Sequence, residues 1–170
     1  MGFLSRIRRM VSGQPPVEGG VDILAPVSGQ LVSLENVPDK VFAEKIVGDG
    51  IAIEPSGKQL CAPISGTLAK IFENNHAFSI ESPHGIELFV HFGVGTVELG
   101  GKGFTRLKEE GSQVEAGEPV IELDLKSIKQ EIPCVLTPVV VANMEDIASM
   151  TQKTGSVTAG KDTIFTVTMQ

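Results

Sequence analysis

From Val21 onward the chain alternates short apolar runs with turns rich in Gly, Pro, Asp and Asn. Runs at 30–34, 51–54, 67–72, 86–92, 119–125, 137–142 and 163–168 have the length of strands and are bounded by turn residues. This spacing predicts an all-β domain over 21–170, an antiparallel β-sandwich or barrel-like fold with very short helices. One segment breaks the pattern, Asn143-Met-Glu-Asp-Ile-Ala-Ser-Met150. There Asn143 is placed to cap a short helix whose first turn holds Glu145 and Asp146. A further regularity is internal: Ala25-Pro-Val-Ser-Gly-Gln-Leu31 returns as Ala62-Pro-Ile-Ser-Gly-Thr-Leu68. Two copies are too few for a solenoid, so a closed domain with a pseudo-repeated strand-turn-strand element is expected.

Composition supports one folded domain. Of 170 residues, 41% are hydrophobic, enough at this length to bury a core without disulfides. Trp and Tyr are absent, while 19 Gly and 10 Pro punctuate the chain, which favours short strands and many turns. A net charge of −7 argues against nucleic-acid binding, which needs a basic face to displace counterions from phosphates. Cys61 and Cys134 match no metal or redox spacing, and no signal-peptide pattern precedes them, so reduced thiols in a cytoplasm are expected.

The first 20 residues differ from the rest, with Arg6, Arg8 and Arg9 against a single acid, Glu18. Phe3, Leu4, Ile7, Met10 and Val11 fall on one helical stripe flanked by those arginines, so residues 1–11 have the pattern of an interfacial helix for an anionic membrane. Residues 12–20, rich in Gly and Pro, read as a flexible linker. Peripheral membrane association is therefore an expectation beside the cytoplasmic one.

The chemistry concentrates on histidine. In Glu87-Leu-Phe-Val-His-Phe-Gly93 strand parity puts Leu88, Val90 and Phe92 on one face, and Phe89 and His91 on the other. His76 stands between two apolar runs, in Glu73-Asn-Asn-His-Ala-Phe78, so two histidines from neighbouring strands could meet. Such a pair can carry a phosphoryl group, ligate zinc, or serve as nucleophile with an acid/base partner. His84, in Ser82-Pro-His-Gly85, has turn chemistry and is expected in a solvated loop. No phosphate-cradling glycine loop, dinucleotide fingerprint or His-Glu-x-x-His helix occurs.

Four segments in order carry a family resemblance: Val41-Phe-Ala-Glu-Lys-Ile-Val-Gly-Asp-Gly-Ile-Ala-Ile53, Asn75-His-Ala-Phe-Ser-Ile-Glu81, Gly85-Ile-Glu-Leu-Phe-Val-His-Phe-Gly93 and Leu136-Thr-Pro-Val-Val140. With the two Ala-Pro-x-Ser-Gly elements and the basic N-terminal segment, the chain resembles the glucose-type enzyme IIA component of the bacterial phosphoenolpyruvate:sugar phosphotransferase system. The resemblance implies the duplicated-hybrid-motif β-sandwich. It further implies a phosphocarrier, a phosphotransferase component in which His91 accepts phosphate from the histidine-containing phosphocarrier protein. His91 would then pass it to the IIB domain of a glucose-type permease.

By the same resemblance His76 hydrogen-bonds the bound phosphoryl group, Asn74 and Gly93 support the site, and partners dock on Asp39, Val41, Phe42, Ile46, Val47, Phe72, Ser79, Glu81, Phe89 and Val97. Regulatory targets such as sugar permeases, glycerol kinase or adenylate cyclase are implied as well. Two positions depart from the family pattern: Asn74 replaces a threonine and Gly95 replaces an aspartate that faces the donor. No cofactor is obligatory, but a zinc ion on His76 and His91 is implied where a partner adds a carboxylate. Two other classes compete. A zinc peptidase of the same broad fold needs a His-x-His pair, which Phe92-Gly93 after His91 breaks. A lipoyl or biotinyl carrier would use Lys126, in the wake of the hairpin-like 111–124.

Overall fold

A computed structural model describes residues 20–170. The segment 1–11, with its expected interfacial-helix pattern, and the linker as far as Gly19 lie outside the described residues.

Fourteen strands form the described chain: β1 (Val21–Leu24), β2 (Gly29–Val32), β3 (Asp49–Pro55), β4 (Gln59–Cys61), β5 (Gly66–Ile71), β6 (Ala77–Glu81), β7 (Glu87–His91), β8 (Phe104–Arg106), β9 (Gln113–Val114), β10 (Pro119–Leu123), β11 (Thr137–Val141), β12 (Ile147–Gln152), β13 (Ser156–Val157) and β14 (Thr163–Met169). The large sheet runs β13-β2-β3-β11-β7-β6-β5-β9, and two three-stranded sheets, β1-β14-β12 and β4-β10-β8, complete the sandwich. Every pairing is antiparallel, as the alternation of strand and turn implies. Each of the seven runs picked out by periodicity falls on one of these strands, offset by at most two residues.

The internal echo has a structural meaning. The residue just before each copy bonds to the other copy, Leu24 N–H to the Pro63 carbonyl at 2.9 Å and Cys61 N–H to the Pro26 carbonyl at 2.6 Å. Each copy also receives an equivalent glycine, with Gly160 N–H donating to the Ala25 carbonyl and Gly117 N–H to the Ala62 carbonyl. Gly29 and Gly66 then open β2 and β5 where the neighbouring strand's backbone, at Glu54 and Glu81, leaves no room for a Cβ. The repeat is thus a pseudo-symmetric frame for the two halves of the large sheet.

Parity along the strands builds two cores. Ile51, Ile53, Leu88, Val90, Val139 and Val141 point into the main core between the layers. Their neighbours Ala52 and Val140 point the other way, into a second cluster with Leu34, Val37 and Phe42. That cluster is roofed by a 3-10 turn at Leu34–Asn36 and by α1 (Lys40–Ala43), whose first turn is capped by Asp39 accepting from Val41 N–H at 3.0 Å. Buried on both faces, β11 accordingly shows no apolar/polar alternation along Thr137–Val141, and Pro138 to Val141 are all apolar.

Two local expectations are corrected. The short helix expected within 143–150 is a single 3-10 turn, Met144–Asp146, with Asn143 at its N-cap position, and it leads straight into β12. Asn143 is drawn away from capping, because its amide accepts from Glu87 N–H at 2.9 Å and donates to the Gly85 carbonyl at 2.6 Å. Among the described residues the longest helix is instead α2 (Leu125–Glu131), capped by Asp124 accepting from Ser127 N–H at 3.3 Å. Its Ile128 is buried, and it takes over the end of the run predicted as a strand to residue 125.

Candidate functional site

β6 and β7 are paired with Ala77 opposite His91, and Phe92 N–H donates to the His76 carbonyl at 2.8 Å. His76, one residue before β6, is thereby carried beside His91 at the end of β7. The ring centroids lie 4.9 Å apart at an interplanar angle of 83°. The meeting expected from sequence occurs.

His91 is held in one tautomer. Its Nδ1 lies 2.9 Å from the Gly93 carbonyl oxygen, which can only accept, so Nδ1 carries the proton and Nε2 the lone pair. Gly93 places that carbonyl from φ +72°, and an added Cβ would meet Ile132 Cδ1 at 2.8 Å. Burial pushes the His91 imidazole below its ordinary range, while the Gly93 carbonyl and the Asp39 carboxylate pull partly back. His76 is 6% exposed, and burial, followed by the proximity of His91, lowers its pKa to about 4. Both rings are neutral at pH 7. His76 Nδ1 is buried with no hydrogen-bond partner among the described residues.

Aromatic rings surround the pair. Phe42 stands 5.3 Å from His91, Phe89 stands 6.0 Å from it, and Phe72 meets His76 edge-on at 6.2 Å. Phe42 and Phe89 stack at 6.2 Å, and Lys70 sits over Phe72 at 5.3 Å. Beyond them Val41, Ile46 and Val97 are exposed, Ile46 most of all at 69%. Val47, Ser79, Glu81 and Phe89 line one apolar cavity of about 320 Å³ with Glu87 and Ala142. The expected docking residues thus separate by depth: Phe42 is a buried floor in the second core, whereas Val41, Ile46 and Val97 form the outer surface. Asp39 is half-buried and tied to the start of α1.

Asn74 donates its amide to the Val97 carbonyl at 3.3 Å, bracing the loop rather than supplying the missing partner of His76 Nδ1. Gly95 has φ +76°, with open space where a side chain would be. His84 lies in its predicted turn but is half-buried there. Cys61 is buried, with burial raising its thiol pKa, and Cys134 is half-buried, its backbone bridged to Val94. Lys126 lies in the first turn of α2, on the wall of an 880 Å³ cleft with Lys58, Phe104 and Leu123, a cleft that neither histidine lines.

Two residues beside the pair do not stand out in the sequence. Asn75 is one of two non-glycine residues at positive φ among those described, at 61°. Arg106, on β8, donates from Nε to Asn75 Oδ1 at 2.9 Å and from Nη2 to the Phe72 carbonyl at 3.5 Å. The turn chemistry of Glu73-Asn-Asn-His76 was the available signal for Asn75. No local signal exists for Arg106, 31 residues away.

Among the described residues no group of three or more His, Cys, Asp or Glu side chains could hold a metal ion. His76 and His91 supply two nitrogens, which leaves a tetrahedral zinc shell half-filled. The residues present do not fit a resident metal.

An all-β domain that presents an oriented, neutral histidine beside a second one on an open apolar surface belongs to the class of carrier domains that meet protein partners. Residues 21–147 match the family model of the phosphoenolpyruvate-dependent sugar phosphotransferase system, EIIA 1, and the chain belongs to that family. It is 52% identical over 145 residues to the glucose-specific EIIA component of Haemophilus influenzae, covering 85% of this chain and 87% of that protein. Over 147 residues it is 42% identical to the N-acetylglucosamine-specific EIICBA component of Escherichia coli K12, covering 86% of this chain and 23% of that longer protein. Among solved structures, the glucose permease IIA of Mycoplasma capricolum superposes with a TM-score of 0.82 at 33% identity, covering 88% of this chain and 96% of that one. The protein is a glucose-type EIIA phosphocarrier of the sugar phosphotransferase system. The name of the E. coli relative joins IIC, IIB and IIA components in one protein. No helix among the described residues is long and apolar enough to cross a membrane.

Proposed function

We propose that His91 is the phosphoacceptor, and that it takes the group from the histidine-containing phosphocarrier protein and gives it to the IIB domain of a glucose-type permease. The observation that carries this reading is the bond from His91 Nδ1 to the Gly93 carbonyl, which leaves Nε2 unprotonated. In the step, the Nε2 lone pair forms the new nitrogen–phosphorus bond as the donor's nitrogen–phosphorus bond breaks, and the electron pair of that bond returns to the donor imidazole. The phosphorylated ring of His91 keeps its Nδ1 proton and gains positive character, which the Gly93 carbonyl stabilises. Neutral His76 donates one N–H to a phosphoryl oxygen, and it serves chiefly in the onward step, when His91 becomes the leaving group.

The exposed Val41, Ile46 and Val97 and the half-buried Phe72 and Phe89 supply a docking face. Charge of about −1.5 to −2 at its centre makes phosphorylation a switch, so regulatory partners with apolar or acidic faces prefer the unphosphorylated form. The domain works in the cytoplasm, and residues 1–11, with their apolar stripe and flanking arginines, tether it to anionic lipid near the permease.

Incubation with phosphoenolpyruvate, enzyme I and the phosphocarrier protein tests the assignment. The expected result is an adduct of about 80 Da, lost in acid and absent from His91→Ala. The same acid-labile adduct on His91→Ala would overturn it.

A further inference from the structure

His76 stands on a turn that a side chain from another strand holds. The turn closes through Asn75 N–H to the Phe72 carbonyl at 2.8 Å and leaves Asn75 in the left-handed region at φ 61°. Left-handed backbone is unfavourable for residues with a Cβ, and Asn adopts it more readily than most because its short polar side chain can hydrogen-bond to nearby groups. The partner here is not local. Arg106 reaches across from β8, in the opposite layer, to Asn75 Oδ1 and to the same Phe72 carbonyl that closes the turn. Its half-buried, planar fork grips the turn at both ends. On the other side, Asn74 ties the turn to the Val97 carbonyl.

His76 needs such a grip, because its own ring has no anchor at Nδ1 among the described residues. Its orientation is therefore inherited from the backbone of Asn75 and from Phe72 against its edge. His91, by contrast, carries its own anchor at Gly93.

We infer that Arg106 is a positioning residue for His76: it clamps the Phe72–Asn75 turn so that the second histidine points at a phosphoryl group on His91. The inference rests on the assignment of the two histidines made above. Two consequences separate it from a general stabilising role. Loss of the clamp impairs only the step that uses His76, and it has no further effect once His76 is gone.

The full-length protein is compared with R106Q, R106K, N75G, H76Q and the double variant R106Q/H76Q. Phosphate acceptance from the phosphocarrier protein, transfer to the IIB domain, and the histidine ring signals in ¹⁵N-resolved NMR are read for each. R106Q is expected to accept phosphate within about 2-fold of the parent and to pass it on about 10- to 100-fold more slowly, since a misplacement near 1 Å costs up to about 10²-fold. The His76 ring resonances move while those of His91 hold, and R106Q/H76Q transfers no more slowly than H76Q. R106K keeps the charge but not the fork, so it is expected to resemble R106Q. N75G keeps the left-handed backbone while removing the Arg106 acceptor, and it shows the same split if R106Q fails to fold.

Equal losses in acceptance and transfer, full rescue by R106K, or an added loss in R106Q/H76Q would each overturn the clamp. Normal transfer by R106Q and N75G alongside a defective H76Q would overturn it too, while leaving the histidine roles intact. Normal transfer by H76Q itself would show that those roles had failed.

Discussion

His76 and His91 face each other with ring centroids 4.9 Å apart and planes at 83°, yet only His91 has a protein hydrogen bond fixing its ring. The anchored ring is suited to making a bond in one orientation. The unanchored one is suited to answering a group that arrives. His76→Gln is therefore expected to keep acceptance within a few-fold and to lose onward transfer by about 10²- to 10⁴-fold, the range of general acid–base contributions. Transfer of radiolabel from phosphoenolpyruvate, followed separately to this protein and to the IIB domain, measures both.

Burial of the pair makes stability depend on pH with a definite sign. Both histidines titrate lower in the folded protein than in the unfolded chain, so the unfolded state binds more protons as pH falls. Stability is accordingly full above the unfolded value of about 6.5 and declines toward the folded value of His76, about 4. For His76 the loss between pH 7 and pH 4 is on the order of 2–3 kcal/mol. Urea titrations at several pH values should show a steeper decline in the parent than in His76→Gln. Parallel curves would contradict the linkage.

Depth within the aromatic surround predicts which substitutions unfold and which only loosen partners. Phe42 is buried beneath His91 in the second core, so Phe42→Ala should cost about 3–5 kcal/mol of stability. Ile46→Asp and Val97→Asp, at exposed positions, should shift stability by no more than about 0.5 kcal/mol. These two should weaken donor binding by about 10-fold, roughly 1.4 kcal/mol. Thermal melts and calorimetric titration with the phosphocarrier protein separate the two effects.

Asp39 has two duties that one substitution exposes. Its carboxylate caps α1 and raises the pKa of His91 against the effect of burial. Asp39→Asn preserves a capping side chain and removes the charge, so the His91 pKa should fall further while helix stability changes little. NMR titration of the His91 ring reads the shift directly. Gly95→Asp is the converse experiment: the space beside Gly95 is open, and a new carboxylate there should speed association with a basic donor in a salt-dependent way. The positive φ of Gly95 makes a small loss of stability the expected cost.

Much of this protein was legible along the chain because the relevant physics is local. Strand parity separated the inward Leu88, Val90 and Phe92 from Phe89 and His91, and turn residues marked the ends of all seven predicted strands. The Ala-Pro-x-Ser-Gly echo announced a duplication, and the family resemblance singled out the two histidines. What sequence could not decide involves competition between distant groups. Asn143 is a good helix cap by local rules, but the start of β7, 56 residues away, claims its side chain. Phe42 looks like one more apolar docking residue until the 3-10 turn and α1 fold over β3 and β11 and enclose it. Arg106 carries no motif, and only the packing of β8 against the β5–β6 turn gives it Asn75 to hold. Periodicity and turn chemistry act through neighbours along the chain, so sequence determines which residues can be strands and which faces are apolar. Burial, tautomer and the partner of each polar group depend on which strands meet, and those the tertiary structure alone decides.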